Sequence, residues 1–338
     1  MMRAAGRLSP VWKAVFIAAP VVIALIALSV GRIGVSPSDL FTSLFAKLTG
    51  GAGLDAQTET VLWSIRLPRV LLALLTGAGL SVAGCAFQSL FANPLATPDT
   101  LGVASGASFG AALALLLGMG LVGVQLVALL FGILAVTLTW LAGAGKGRAL
   151  SSVVLSGIMI GSLFSALVSL IKFTADTESQ LPSITYWLMG SLDSAGFDQL
   201  MIGAPLIIAG IIVLFALRWR MNILPLTDDE ARASGTNIRA LRAVTVVCAT
   251  AMTASCVSMC GQVGWVGLLV PHICRMKFGN NHMSLLPASI STGACFMVIV
   301  DTIARSATAA EIPVSILTAI IGAPFFIYLM RRSGGWQL

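Results

Sequence analysis

The chain has 338 residues, of which 57% are hydrophobic and only 10% are charged. Ordinary soluble domains carry about 25% charged residues, so this composition excludes a soluble globular protein and indicates an integral membrane protein. The formal net charge is +7. Because the short cytoplasmic loops of membrane proteins collect Lys and Arg, topology explains this surplus, and it does not require a nucleic-acid partner.

Long charge-free runs predict an all-α membrane protein with about ten transmembrane helices. The first run has basic flanks but no convincing small-residue cleavage site before Gly31, so it reads as a retained span and not as a signal peptide. A single helix over 243–274 would be roughly 48 Å long, well beyond the ~30 Å hydrocarbon core. This run is expected to fold back near Gly261 and Gly264. The runs are 14–30, 70–92, 101–118, 121–142, 149–171, 200–217, 243–274, 283–300 and 312–330.

The distribution of basic residues supports ten spans with both termini in the cytoplasm. With nine spans, Arg331 and Arg332 would lie on the outer side. The longest outside segments, 31–69 and 172–199, are typical of connecting loops with short amphipathic pieces. The chain is therefore expected to be one transmembrane domain over residues 1–338. The basic residues left outside are Arg32, Lys47, Arg66, Arg69, Lys172 and Arg305.

Glycines spaced four residues apart predict close packing between helices of this chain, which is favoured over a dedicated dimer seam. Such spacing occurs at Gly102, Gly106 and Gly110, and again at Gly157 and Gly161.

Two sequence patterns resemble nucleotide-binding motifs, but neither predicts a nucleotide-binding site. The run 118–123 matches G-x-G-x-x-G, but it joins two spans instead of following a strand, so a tight turn is expected. The run 143–147 suggests a phosphate loop, but it lacks the leading Gly at the right distance and the Ser or Thr after Lys146. The sequence thus predicts no ATP site in this chain, and the energy for uphill transport would come from a partner or an ion gradient.

Titratable and metal-binding side chains are scarce within the spans. Asp301 and Arg305, one helical turn apart, are expected to pair, and this reading is favoured over a proton relay. Cys256 and Cys260 are also one turn apart, but a packing role is favoured over a metal or redox pair. This scarcity argues against a proton-coupled transporter and against an intramembrane enzyme.

A polar island stands between two long apolar runs. Thr227 and Glu230 have capping-box spacing, and Asp228 and Asp229 lie between them at the positive end of the helix dipole. Gly235 is suited to close the C-terminus. The pattern predicts a short, self-capped cytoplasmic helix, and we interpret it as a surface against which an ATPase docks.

Three arginines mark the outer side of the membrane. Arg66 and Arg69 stand at the start of the second span, and Arg305 at the end of the ninth. Guanidinium groups there suit bidentate pairing with the carboxylates of a docking protein. Simple anchoring at the membrane interface is an equal alternative on the residues alone.

Several motifs occur along the chain in one characteristic order. They are RLPR at 66–69, GCAFQSLFANPLA at 84–96, LGVASG at 101–106, GQVGWVGLLVPH at 261–272, DTIAR at 301–305, EIP at 311–313 and GAPFF at 322–326. With these motifs the chain resembles the ten-helix permease subunits of ABC importers for iron-siderophores, haem and vitamin B12. It departs from that family at Gln262, where Pro is usual, and at Thr227-Asp-Asp-Glu230, where Gly followed by two acids is usual.

The resemblance implies roles for particular residues. The outer arginines Arg66, Arg69 and Arg305 would meet acidic residues of a substrate-binding protein. A cytoplasmic gate is implied at Asn93 and Leu95, with a second gate at Ser151 and Ser152. Residues 226–236 would form the coupling helix that sits in a groove of the ATPase, with contacts from Thr227, Asp228, Asp229, Glu230, Arg232 and Gly235.

The resemblance also implies partners and a cargo. It implies a second permease copy, most simply in a homodimer, two ATP-binding subunits that hold ATP and Mg, and an extracytoplasmic binding protein. This chain itself is expected to bind no cofactor and no metal, and to lie in the inner membrane of a prokaryote. A ferric siderophore is the favoured cargo over haem, cobalamin and oxyanions such as molybdate. The alternative from a different class is an ion-coupled secondary transporter.

Overall fold

The computed structural model describes residues 8–31, 33–50, 53–143, 150–308 and 310–332. The two chain ends that are expected in the cytoplasm, 1–7 and 333–338, lie outside these residues. Within the described ranges every regular element is helical. In chain order the α-helices are α1 (Pro10–Ser29), α2 (Pro37–Thr49), α3 (Ala56–Thr60), α4 (Leu67–Leu90), α5 (Val103–Leu116), α6 (Leu121–Ala142), α7 (Leu150–Thr174), α8 (Gln180–Leu188), α9 (Phe197–Leu217), α10 (Asp228–Ala233), α11 (Ile238–Cys260), α12 (Val266–Phe278), α13 (His282–Ser306) and α14 (Val314–Arg332).

The helices correspond to the predicted spans once α2, α3, α8 and α10 are set aside as connecting pieces. Seven helical stretches in the described residues are long and apolar enough to cross a membrane. The helices α5 and α14 are apolar but shorter, and the 13 residues of α12 would reach only about 20 Å. The prediction of an all-α membrane protein is confirmed.

The fold-back expected within 243–274 is present. Helix α11 ends at Cys260, and Gly261 has φ 69° and ψ −165°, a conformation that favours glycine. A Cβ at Gly261 would lie 2.3 Å from the Trp187 carbonyl oxygen. Trp265, just before α12, also has a positive φ of 69°. Its indole ring packs against Gly322 of α14, where a Cβ would lie 2.8 Å from the ring. The turn is thus held by contacts with two other parts of the chain.

Helix α4 lies at the centre of the fold, and nearly all of its side chains are buried. Helices α9, α11, α12 and α13 pack around it. Glycines allow the backbones to approach closely: a Cβ at Gly84 would lie 1.8 Å from the Gly267 carbonyl oxygen, and one at Gly77 would lie 2.2 Å from that of Gly293. Such contacts are typical of membrane helices, which associate through small residues.

The predicted glycine ladder packs α5 against α6. A Cβ at Gly106 would lie 2.6 Å from the Phe131 carbonyl oxygen, and one at Gly110 would lie 2.5 Å from that of Val127. The prediction of close packing within the chain is confirmed.

The second span differs from its sequence pattern because it begins much earlier than residue 70. The helix runs continuously over Ala56–Leu90, for 35 residues, and includes a π-helical stretch at Val61–Arg66. Arg66 and Arg69 interrupt the apolar pattern, but both side chains are buried, so their charges do not end the helix. Pro68, which lacks a backbone N–H, lies two residues after the end of the π-helical stretch.

Candidate functional site

Charged side chains meet where α4 and α13 approach each other at the predicted outer side. Arg69 and Asp301 form a short ion pair, with 2.9 Å between Nη2 and Oδ1, and Arg69 Nε donates to Oδ1 at 2.9 Å. Arg69 also contacts Glu311, with 2.8 Å between Nη1 and Oε2. The Arg69 fork is therefore shared between two carboxylates. We call the set Arg66, Arg69, Arg305, Asp301 and Glu311 the outer cluster.

The expected pair of Asp301 and Arg305 is present, with 3.7 Å between Oδ2 and Nε. However, the shorter contacts of Asp301 are to Arg69, which is 232 positions away in the sequence. The Asp301 carboxylate thus pairs with two guanidinium groups, so it orients Arg69 as well as Arg305.

Two arginines of the outer cluster bind the end of α1. Arg66 Nη1 donates to the Leu28 carbonyl oxygen at 2.7 Å, and its Nη2 donates to that of Ile33. Arg305 Nη2 donates to the carbonyl oxygen of Ala27. The last carbonyl groups of a helix lack intrahelical partners, so Arg66 and Arg305 satisfy those of Leu28 and Ala27. The first span is fastened to the core in this way.

The three arginines of the outer cluster are buried in this structure. Arg66, Arg69 and Arg305 have 5%, 6% and 8% of their surface exposed. Glu311 is more accessible, with 28% of its side chain exposed. The guanidinium groups therefore face partners inside the chain, and their contact with a binding protein stays a prediction.

The first predicted gate lies in the loop that follows α4. Ala92 has a positive φ of 46°, which is uncommon for a residue other than glycine. The Asn93 N–H donates to the Gln88 carbonyl oxygen at 3.0 Å, and Asn93 Oδ1 accepts from the Leu95 N–H at 2.9 Å. These bonds form a defined turn, from which Leu95 projects with 46% of its surface exposed.

The second predicted gate lies in the first turn of α7, where Ser151 and Ser152 are both exposed. Helix α7 packs on the 3-10 turn Pro98–Leu101, which follows the first gate loop. Their approach is close, since a Cβ at Gly157 would lie 2.2 Å from the Thr100 carbonyl oxygen. The two gate segments are therefore carried by elements that contact each other.

The predicted cytoplasmic helix is present as α10, and its capping box is confirmed. The Thr227 N–H donates to Glu230 Oε2 at 2.9 Å, and Thr227 Oγ1 donates to the same oxygen at 2.8 Å. In return, the Glu230 N–H donates to Thr227 Oγ1 at 3.4 Å. The two Thr227 hydrogen bonds, the backbone one first, lower the pKa of the Glu230 carboxyl group below its usual value.

The C-terminal end of α10 also follows the sequence pattern. Gly235 has φ 70°, as expected for a glycine that terminates a helix. Ala231 is fully buried and belongs to the same apolar cluster as Leu224 and Ile238, so α10 is seated on the protein. Thr227, Asp229 and Glu230 are exposed. Functional contacts of Asp228 and Arg232 stay a prediction.

A buried polar network at the cytoplasmic end was not predicted from the sequence. His282 Nε2 lies 2.6 Å from Ser89 Oγ, and His282 Nδ1 lies 3.0 Å from Asn222 Oδ1. Beside them, Arg275 donates to the Gln88 side-chain oxygen. The three bonded pairs are 193, 60 and 187 positions apart in the sequence, so no local pattern links them. The only feature of the sequence that could have indicated this network is the presence of polar side chains beside apolar runs.

The cysteines pack among apolar side chains, in agreement with the sequence interpretation. Cys85, Cys256, Cys260 and Cys274 are buried, and Cys260 Sγ donates to the Cys256 carbonyl oxygen at 2.9 Å. Over the described ranges, no group of three or more His, Cys, Asp or Glu side chains could hold a metal ion.

Comparison with known proteins decides the family. The sequence pattern of the FecCD transport family matches residues 19–332. The chain belongs to the FecCD transport family. It is 41% identical to the molybdate import system permease protein MolB of Haemophilus influenzae, over 93% of this chain and 94% of that protein. It is 38% identical to a probable iron chelatin transport system permease protein of Helicobacter pylori, over 81% of this chain and 83% of that protein.

A solved structure agrees with this family membership. The FecCD chain superposes on an inward-facing transporter described as of the metal-chelate ABC type, with a TM-score of 0.86 and 38% sequence identity. The match covers 96% of this chain and 100% of the other. The protein is therefore an ABC transporter permease that passes several times through the inner membrane of a prokaryote. Membership of an ABC importer family implies ATPase and substrate-binding partners.

Proposed function

We propose that this FecCD chain is one of two permease subunits, in a homodimer, of an importer that carries a ferric chelate into the cytoplasm. ATP hydrolysis takes place in two partner subunits, which bind ATP and Mg, while this chain binds no cofactor. An extracytoplasmic binding protein delivers the cargo, and lipid surrounds the permease pair.

The observation that carries this proposal is α10. A helix of only six residues is too short to be stable alone in water, yet this one has a reciprocal cap at its start and a left-handed glycine after its end. Its buried Ala231 seats it on the protein, while neighbouring acidic side chains are exposed. This rigid acidic surface between two spans is suited to contact an ATP-binding subunit and to transmit its movement to the spans.

On the outer side, we assign the contact with the binding protein to the region of Arg66, Arg69 and Arg305. Arg69 pairs with Asp301, while the buried guanidinium groups of Arg66 and Arg305 hold α1 against the core. A docking carboxylate would compete with the carbonyl groups of α1 for them, because charged acceptors bind guanidinium more strongly than neutral ones. Docking would in this way be linked to the position of the first span.

The ferric chelate is favoured because several relatives are named for iron compounds. They include the iron chelatin permease of Helicobacter pylori and an Fe(3+)-citrate permease of Bacillus subtilis. Molybdate is a second candidate, and one specific observation favours it. The relative named for molybdate matches more of this chain, at higher identity, than the one named for iron chelatin.

Uptake measurements separate these cargoes. Cells that lack the gene for this chain, and the same cells complemented with it, would be given ferric citrate labelled with ⁵⁵Fe or molybdate labelled with ⁹⁹Mo. We expect complementation to restore iron uptake severalfold and to leave molybdate uptake unchanged. Restored molybdate uptake alone would replace the ferric chelate by molybdate as the cargo.

The same assay in membrane vesicles separates an ABC importer from an ion-coupled carrier. Uptake should require ATP and should persist when an ionophore dissipates the proton and sodium gradients. Uptake that an ion gradient drives without ATP would contradict the proposed function.

A further inference from the structure

His282 lies between two segments with proposed roles in transport. It is the first residue of α13 and is only 3% exposed. On one side, its backbone N–H donates to Asn222 Oδ1 at 2.9 Å, and its Nδ1 lies 3.0 Å from the same oxygen. On the other side, its Nε2 lies 2.6 Å from Ser89 Oγ. The imidazole thus bridges two parts of the chain that are 133 positions apart.

The hydrogen-bond inventory assigns the direction of this bridge. Asn222 Nδ2 donates to the Trp219 carbonyl oxygen at 3.1 Å and to Asn281 Oδ1 at 3.3 Å. The amide oxygen of Asn222 therefore faces His282 and can only accept. It follows that Nδ1 of His282 carries a proton and donates to Asn222. In the neutral imidazole Nε2 is then an acceptor, so the Ser89 hydroxyl, whose oxygen also lies 2.9 Å from the Cys85 carbonyl oxygen, directs its one proton to Nε2.

Each end of the bridge is close to an element of the proposed machinery. Asn222 belongs to the 3-10 turn Arg220–Ile223, five positions before Thr227 of the α10 cap. Buried Met221 and Leu224 fix this turn to the core.

On the opposite side, Ser89 lies in the last turn of α4, four positions before Asn93 of the first gate. The preceding residue, Gln88, accepts the Asn93 N–H at its carbonyl oxygen, and its side chain accepts from Arg275 of α12. The end of α4 is therefore rigidly connected to the gate loop.

We propose that His282 is a positioning residue that links movement of the α10 segment to the gate loop of Asn93 and Leu95. The inference rests on the proposed function, since it assumes that ATP-binding subunits move α10. Coupling between distant sites needs a connected element that both sites bias, and the bridge from Asn222 through His282 to Ser89 supplies one. When the turn before α10 shifts, the end of α4 shifts with it.

Gate movement can be measured without knowledge of the cargo. The protein with Leu95→Cys would be co-expressed with its ATP-binding subunits, placed in nanodiscs and labelled with a charged maleimide, with and without ATP plus vanadate. The protein with Leu95 intact gives the background from the six native cysteines. We expect ATP plus vanadate to change the labelling rate at position 95 severalfold, and His282→Ala to abolish this change while ATP hydrolysis continues.

Ser284→Ala is the matched control, because Ser284 is also buried at the start of α13 and donates to the carbonyl oxygens of Phe278 and Asn281. It loses buried hydrogen bonds but lies outside the bridge, so its labelling response should equal that of the parent. If His282→Ala responds like the parent, the bridge is refuted while the proposed function stands. A parent that shows no ATP-dependent change would refute the proposed function, and the bridge with it.

A second set of variants covers the case in which His282→Ala does not assemble. Ser89→Ala and Asn222→Ala should each reduce the labelling response, and the double variant should lose no more than the larger single loss, because both act through one imidazole. Ser89→Thr keeps the hydroxyl group and should restore the response. Additive losses, or a full response in both single variants, would overturn the proposal.

Discussion

The outer cluster and α10 are both charged sites at opposite ends of the spans, yet they are built in contrasting ways. In the outer cluster, Arg69 and Arg305 are held with two carboxylates by contacts between α4, α13 and the loop before α14, and Arg66 binds carbonyl groups at the end of α1. In α10, the cap is formed by residues three positions apart, and the polar side chains are exposed. One site depends on the tertiary fold, and the other depends mainly on its own sequence.

This contrast assigns different roles to the two sites: the outer cluster stabilises the fold, and α10 is available to a partner. Charges that are buried as partners of one another fix helices in place, because breaking such a set leaves an uncompensated charge in an apolar surrounding. Charges on a self-capped exposed helix cost little when they are removed and are open to a partner. The two regions should therefore respond in opposite ways to loss of charge, the first in stability and the second in coupling.

The largest expected effect is the loss of stability on removing Asp301. Asp301→Asn would leave Arg69 with Glu311 as its ion-pair partner and would remove the carboxylate that pairs with Arg305. Breaking a buried ion pair typically costs about 3–5 kcal/mol. We expect a clear fall in the unfolding temperature of the protein in detergent or nanodiscs, measured by a thermal-shift assay.

Asp198→Asn serves as the control, because Asp198 is an exposed acid in the first turn of α9. Its neutralisation should cost no more than about 1 kcal/mol of helix-dipole interaction. Equal unfolding temperatures for the two variants would mean that the outer cluster does not stabilise the fold.

The second effect concerns coupling and not stability. Changing Asp228, Asp229 and Glu230 together to Ala should leave the spans assembled, since only the local capping of α10 by Glu230 is lost. It should lower the amount of cargo carried per ATP hydrolysed by roughly tenfold, because contact with the ATP-binding subunits is lost. The measurement is uptake and ATP hydrolysis in the same proteoliposomes.

A matched triple alanine variant of exposed acids outside α10 controls for the change in net charge. Unchanged coupling in both variants would show that α10 is not the contact with the ATP-binding subunits, and the contrast between the two regions would fail. The matched residues are Glu178, Asp193 and Asp198, all exposed.

Features that depend on local sequence could be predicted, whereas contacts between residues distant in the sequence could not. The cap of α10, the turn at Gly261 and the glycine contacts of α5 with α6 depend on neighbours or on regular spacing, and all three are confirmed. The partner of Arg69 could not be predicted, because Asp301 and Glu311 are 232 and 242 positions away. The same holds for the bridge through His282, whose partners are brought together only by the packing of α4, α13 and the 3-10 turn Arg220–Ile223.

The smallest effect is a pH dependence confined to α10. Hydrogen bonds from the Thr227 N–H and hydroxyl lower the Glu230 pKa in the folded chain. The stabilisation that Glu230 gives to the cap is therefore complete above the ordinary Glu pKa and is lost as the pH falls through the lowered value. Carbon NMR of the Glu230 carboxyl group in selectively labelled protein measures this pKa directly. Thr227→Val removes the hydroxyl but keeps the backbone donor, so the Glu230 pKa should rise only part of the way to its ordinary value.

A wild-type Glu230 with an ordinary pKa would mean that the cap is not formed in solution. A lowered pKa that returns fully to its ordinary value in Thr227→Val would place the whole effect on the hydroxyl. At cytoplasmic pH the carboxylate is ionised in either case, so the cap keeps α10 formed wherever an ATP-binding subunit meets it.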